Sequence, residues 1–217
     1  MKPIKTEEFE IIKDATNKFV YTIKFDKESK SLIRSLINTG ILQDATVYNN
    51  YKIITFKAHS VRMLQSRTNF SYENALKMAL FLTNQLDYLI NKESECFYQY
   101  TTENIIIIDN TKYGYLSNEH LIKMDDDKKS IIFTTPFDRD GFVSPELLKI
   151  KTIPSKTNYK TIYYSLGLLL IDCLFEKSEN IFSNDLSILN PIKDTKLFYL
   201  IKRCLEFDED KRLVYYI

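Results

Sequence analysis

Apolar and polar residues fall along the chain in patterns that predict alternating strands and helices. Phe19-Val20-Tyr21-Thr22-Ile23-Lys24-Phe25 is β-branched and aromatic and predicts a strand. Leu32, Ile33, Leu36 and Ile37 then recur at helical spacing within 27–38, with Gly40 as a stop signal. Thr46-Val47-Tyr48 and Tyr51-Lys52-Ile53-Ile54-Thr55-Phe56, joined by Asn49-Asn50, predict a hairpin. From Ser71 to Lys92 the period returns to that of a helix. Ala75, Met78, Ala79, Leu82, Leu86 and Leu89 lie on one face, and Ser71 is placed to cap the start.

Ile105-Ile106-Ile107-Ile108 predicts a buried strand, Asp109-Asn110-Thr111-Lys112 a turn, and Tyr113 to Ser117 its hairpin partner. Residues 119–143 are polar and read as irregular, and helices are expected at about 145–149, 161–175 and 194–206. Whether residues 1–18 form a strand is left open by their pattern.

Composition narrows the classes. Lys and Arg total 30 against 29 Asp and Glu, so no global field draws the chain to nucleic acid or a membrane surface. Neither partner is expected. The most apolar segment, Ile162 to Phe175, is interrupted by Asp172 and falls short of the ~20 residues that cross a bilayer. The charged start, Met1 to Glu10, lacks the apolar run of a secretory signal, which leads us to expect a cytoplasmic protein. Cys96, Cys173 and Cys204 show no C-x-x-C spacing and read as reduced core residues.

The most informative stretch is Gly141-Phe142-Val143-Ser144-Pro145-Glu146-Leu147-Leu148, followed by Tyr163-Tyr164-Ser165-Leu166-Gly167-Leu168. It resembles the end of a protein-kinase activation segment, G-x-x-A-P-E, followed by the helix that opens D-x-W-S-L-G. The resemblance runs over about residues 19–217 and is specific only from about 71 onward. It implies an α+β, protein-kinase-like fold with a reduced N-terminal β-lobe (residues 1–58, about three strands and one helix) and a mainly α-helical C-lobe (59–217). It also implies that Glu146 pairs with Arg212 as a structural ion pair, and that Gly167 lies in a central buried helix. The ending around Lys202-Arg203-Cys204-Leu205 to Arg212 is similar to short kinase-like proteins of large nucleocytoplasmic DNA viruses, which would make this a viral protein of the host cytoplasm.

The chemistry of a kinase does not accompany these motifs. The stretch matching the catalytic loop H-R-D-x-x-x-x-N is Phe97-Tyr98-Gln99-Tyr100-Thr101-Thr102-Glu103-Asn104. Asn104 stands where a metal-binding Asn belongs, but Gln99 replaces the base, and a neutral amide cannot take the substrate proton. The D-F-G position falls on Asn118-Glu119-His120 or one residue earlier at Ser117, neither of which supplies the carboxylate for Mg²⁺. No Gly-rich loop precedes Gly40, and Ile162 replaces the aspartate that braces the catalytic loop. Lys24 resembles the V-A-I-K lysine but has no well-placed glutamate partner, Glu28 being only four residues on.

Each candidate has a plainer reading beside the functional one. Lys24 is either a phosphate contact or an amphipathic-strand lysine with its ammonium in solvent, and the second is preferred. Asn104 either holds a metal or caps a turn, again with the second preferred. Asp125-Asp126-Asp127 is a solvated acidic run before it is a Mg²⁺ cluster, and His59 and His120 are ordinary polar residues before they are catalysts. No metal site is expected. Tyrosines such as Tyr48, Tyr51, Tyr113 and Tyr115 suit either an interaction face or the edge of a core.

The preferred expectation is a pseudokinase, a non-catalytic scaffold that binds a protein partner without a cofactor. The alternatives are a divergent serine/threonine-type kinase, which would use ATP with Mg²⁺ bound by acids such as Asp109, Asp125 and Asp126, and an ATP-binding switch using Lys24 and residues 56–58. An enzyme needs convergent carboxylates in the cleft between the lobes, and a switch needs Lys24 pointing into an open cleft. A scaffold predicts a cleft filled by side chains such as Phe97, Tyr98 or Tyr100.

Overall fold

The computed structural model describes residues 3–64, 70–175 and 186–214. The first part is a five-stranded antiparallel sheet with one helix. Its elements are β1 (Ile4–Lys5), β2 (Phe9–Lys13), β3 (Val20–Phe25), α1 (Lys30–Asn38), β4 (Gln43–Tyr48) and β5 (Ile53–Lys57), with strand order β1-β2-β3-β5-β4. Ile23 stands opposite Ile11 on one side and Ile54 on the other, and all three are buried. The strand period of two therefore sends Tyr21, Ile23 and Phe25 into the core. Helix α1 answers with Leu32, Ile33 and Leu36, all fully buried. The β4–β5 turn holds three consecutive residues, Asn49, Asn50 and Tyr51, in the left-handed region, one more than the Asn-Asn signal implied.

Beyond residue 58 the chain forms β6 (Val61–Met63), α2 (Tyr72–Tyr88), β7 (Glu95–Phe97), β8 (Ile105–Ile108), β9 (Lys112–Tyr115), β10 (Leu121–Lys123), β11 (Ser130–Phe133), α3 (Pro145–Leu148), β12 (Ser155–Asn158), α4 (Thr161–Phe175) and α5 (Lys196–Cys204). The strands make a three-stranded sheet in the order β6-β8-β9 and two ribbons, β7 with β10 and β11 with β12. Ser71 caps α2 by accepting the Asn74 N–H, and a π-helical turn, Leu89–Glu93, ends it. Gln85, fully buried on α2, bridges three elements. Its Nε2 donates to the Ser35 hydroxyl (3.2 Å) and the Tyr115 carbonyl (3.0 Å), while its Oε1 accepts the Tyr115 N–H (2.9 Å).

Helix α4 is buried almost all round, with Thr161 to Ile171 wholly inside. Gly167 is where α5 crosses it. A Cβ there would stand 2.9 Å from Leu205 Cδ2 and 3.0 Å from Cys204 Cβ, so any larger residue must push α5's end aside. The three cysteines are free and buried. Among the described residues, no helix is long and apolar enough to cross a membrane.

Several expectations are corrected here. The molecule is α+β, but the kinase-like fold with a reduced N-terminal β-lobe and mainly α-helical C-lobe is not what the chain forms. Among the described residues, helix accounts for 37% and strand for 25%. Seven of the twelve strands among the described residues, β6 to β12, lie beyond residue 58. The architecture therefore does not establish a protein-kinase fold. The N-terminal sheet has five strands rather than about three, because residues 4–13 supply β1 and β2. Residues 119–143, read as irregular, contain β10 and β11. Both pair with distant strands, and such long-range pairing overrides a polar local pattern.

Candidate functional site

The β1–β2 turn is built on Thr6. Its Oγ1 accepts from the Phe9 N–H (3.1 Å) and Glu8 N–H (3.3 Å), and the Thr6 N–H donates to the Phe9 carbonyl (2.9 Å). This brings Glu8 inward onto the turn that follows β9. Glu8 Oε1 accepts from the Ser117 hydroxyl (2.6 Å), and Oε2 accepts from the backbone N–H of Asn118 (2.7 Å) and Glu119 (3.1 Å). The Glu8 carbonyl accepts the Asp26 N–H (3.0 Å), fixing the turn from behind. Glu8 is 6% exposed. Burial pushes its carboxyl above the ordinary range, and the three donors hold that rise back.

Around Glu8 lies a cavity of about 380 Å³ lined by Thr6, Glu7, Glu8, Glu103, Asn104, Glu119, His120 and Asp138. Five of the eight lining residues are carboxylates. The nearest basic side chain in an ion pair with the rim is Lys27, 3.4 Å from Glu119, and both groups are largely exposed. Near a protein surface a like-charge contact at 4–6 Å costs roughly 3–4 kcal/mol. A nucleotide polyphosphate entering this cavity would meet several.

The wall behind the cavity is a packed polar and aromatic cluster. His120 is buried, its Nδ1 bonded to the Tyr115 hydroxyl and its Nε2 accepting from Gln99 Nε2 at 3.1 Å. The Tyr115 oxygen also accepts the Thr101 N–H (3.1 Å). Burial lowers the imidazole pKa, nearby Asp138, Glu103 and Glu119 pull it partly back, and the ring is neutral at pH 7. Phe97 and Tyr100 each stand edge-on to Tyr115 at 4.9 Å, and Tyr98 packs edge-on to His120, Phe133 and Phe137 at 5.2–5.5 Å. Gly141 closes the far side, because a Cβ there would meet the Tyr100 carbonyl at 2.7 Å.

The singled-out residues fall as follows. Gln99 is fully buried in this cluster with its Oε1 unpartnered, a neutral amide facing His120. Asn104 is buried, lines the cavity and bonds the Tyr115 hydroxyl. Asn118 is half-buried, its Nδ2 donating to the Ser29 hydroxyl (2.6 Å) and its N–H to Glu8. Lys24 is exposed between buried Ile23 and Phe25, opposite Glu10 and Ile53 in the sheet. It therefore points away from the core-facing side of β3. Glu28 accepts from Asn50 Nδ2 (2.7 Å), which leaves no Lys24–Glu28 pair.

Of the acids considered for a metal, Asp109, Asp125 and Asp127 are used elsewhere. Asp125 and Asp127 both bind Lys156 Nζ (2.6 and 3.0 Å), and Asp127 is held down to about 2 by the Lys129 N–H and by Lys156. Asp109 accepts the backbone N–H of His59 (2.7 Å) and Ser60 (2.9 Å). Among the described residues, no three His, Cys, Asp or Glu side chains converge as metal ligands.

Glu146 and Arg212 are brought together. Arg212 is fully buried, and both its terminal nitrogens bond the two Glu146 oxygens. Its Nε donates to the Glu206 carbonyl (2.8 Å), and its guanidinium lies 4.9 Å from the Tyr164 ring centroid.

No protein-family model matches the chain, and no curated protein matches it in sequence. Sequence reasoning missed Glu8 as the centre of the site. Its partners lie 109 to 111 residues away, and no spacing signal spans that distance.

Proposed function

We propose that this protein is a non-catalytic protein-interaction scaffold of pseudokinase type, in which motifs resembling those of kinases persist where they serve packing. The observation that carries the reading is the cavity beside Gln99 and Asn118. Five of its eight lining residues are carboxylates, Glu8 among them, and behind its His120 wall pack Tyr98 and Tyr115, with Phe97 and Tyr100 edge-on to Tyr115. An ATP site needs donors and cations aimed at the phosphates and a carboxylate pair for Mg²⁺. Here the nearest backbone donors are already spent on Glu8. The lysine suggested for phosphate contact faces solvent on β3.

A kinase or ATP-switch reading finds no such support, since of the acids suggested for it Asp109 and Asp125 are engaged in other bonds. The partner in this proposal is a protein, met in the cytoplasm of a host cell if the chain is viral. The test is phosphate transfer from γ-labelled ATP with Mg²⁺ or Mn²⁺, to the protein itself and to generic acceptor proteins. We expect no incorporation above a heat-denatured control. Metal-dependent incorporation abolished by changing a cavity residue would overturn the proposal.

A further inference from the structure

The turn at 117–119 has the form of a receptor. One hydroxyl and two consecutive backbone N–H groups converge on a single carboxylate, at 2.6, 2.7 and 3.1 Å, in a place where that carboxylate is almost wholly out of water. Successive backbone N–H groups aimed at one point make an anion-binding concavity. The turn is also prepared from its own side. The Ser117 oxygen accepts the His120 N–H (3.1 Å), which directs its hydroxyl hydrogen toward Glu8, and Asn118 is anchored through Ser29. The ligand comes from the opposite part of the chain, on the β1–β2 turn, which Thr6 closes and the Asp26 N–H braces.

The geometry points to a carboxylate-binding site that the chain fills with its own Glu8, an internal plug that keeps the turn's three donors from outside anions. The surrounding Glu7, Glu103, Glu119 and Asp138 define what the site takes once the plug is withdrawn. A small monoanion such as acetate or formate replaces Glu8 charge for charge. A phosphate, with greater charge, meets the ring of carboxylates and binds less well.

The test uses the full chain, ¹⁵N-labelled, as wild type and as Glu8→Ala. Acetate is titrated against chloride at matched ionic strength while the Asn118 and Glu119 amides are followed by NMR. We expect both amides to shift saturably in Glu8→Ala and to stay still in wild type, with phosphate producing a weaker response than acetate. No saturable shift in folded Glu8→Ala, an equal shift in wild type, or a phosphate response stronger than that of acetate would overturn the inference. Should Glu8→Ala not fold, Glu8→Gln decides the matter. Loss of the charge-assisted bonds moves both amide protons upfield of their wild-type positions, and unchanged shifts would mean that no anion is held there. This outcome is independent of phosphate transfer, so the plug and the scaffold proposal can fail separately.

Discussion

Removing either partner of the Glu146–Arg212 pair is expected to cost a large part of the stability of the chain. Arg212 is fully buried, so Glu146→Ala leaves a guanidinium in the interior whose remaining hydrogen-bond partners are carbonyls, chiefly that of Glu206. Breaking a buried pair from one side costs about 3–5 kcal/mol. Glu146 keeps 20% of its side chain exposed, so water can take up part of its charge, and Arg212→Ala belongs nearer the lower end on the electrostatic count. That variant also loses the Glu206 bond and the contact with Tyr164, which brings the two substitutions level.

Against a total of about 5–15 kcal/mol, each variant forfeits about a fifth or more. For a chain of this length that is a fall of about 10 °C in melting temperature. Urea unfolding followed by tyrosine fluorescence suits a chain with 15 Tyr and no Trp. The double variant should cost less than the sum of the singles by about 1–3 kcal/mol, because it leaves no orphaned charge. The acid limb supplies a second reading. Burial raises the Glu146 carboxyl, but the Arg212 bond and charge outweigh this and lower it. The pair's contribution is thus present above about pH 4.5 and lost as pH falls through the depressed value. Single variants costing under about 1 kcal/mol, or strict additivity in the double, would refute this reasoning.

Gly167→Ala should destabilise by about 1–3 kcal/mol in urea, despite the better helix propensity of alanine, because its methyl meets Leu205 and Cys204; a neutral or stabilising result would mean that α5 can move aside freely. His120 is neutral because burial depresses its pKa, so it adds stability above about pH 6.5 that is lost as pH falls toward the depressed value. The melting temperature of wild type should therefore fall as pH drops below about 6.5 more steeply than that of His120→Gln, and equal slopes would exclude that role. Burial raises the Cys173 and Cys204 thiols to about 12, and Cys96 is raised as well. A disulfide reagent at pH 8 should then find no reactive thiol in the native protein and three after unfolding, whereas rapid native labelling would place a cysteine outside the core.

The parts legible in the sequence were those whose information is local. The face of α2 from Ala75 to Leu86 and its Ser71 cap rest on helical periodicity, and the structure has both. The β8–β9 hairpin rests on four isoleucines and an Asp-Asn turn, which adopts left-handed φ at Asp109 and Asn110. The solvent-facing side of Lys24 also follows from alternation, since Tyr21, Ile23 and Phe25 are the buried members of β3. What was not legible is decided between distant segments. β7 and β10 are three residues each, and β11 sits in a polar stretch, so only their partners make them strands. The kinase-like motifs misled on architecture for a similar reason. Pro145-Glu146 and Ser165-Leu166-Gly167 specify local packing around one ion pair and one helix crossing, and they carry no information on how residues 61–158 are paired.

The most direct measurement is a thermal-shift titration of the full chain with ATP, with and without Mg²⁺, on wild type and Lys24→Ala. A ligand at a hundred times its dissociation constant stabilises by about 2.7 kcal/mol, a shift of several degrees. With Glu8 in the cavity and carboxylates around it, no shift is expected in either protein at millimolar nucleotide. A saturable, metal-dependent shift in wild type that Lys24→Ala abolishes would contradict the non-catalytic reading at its root.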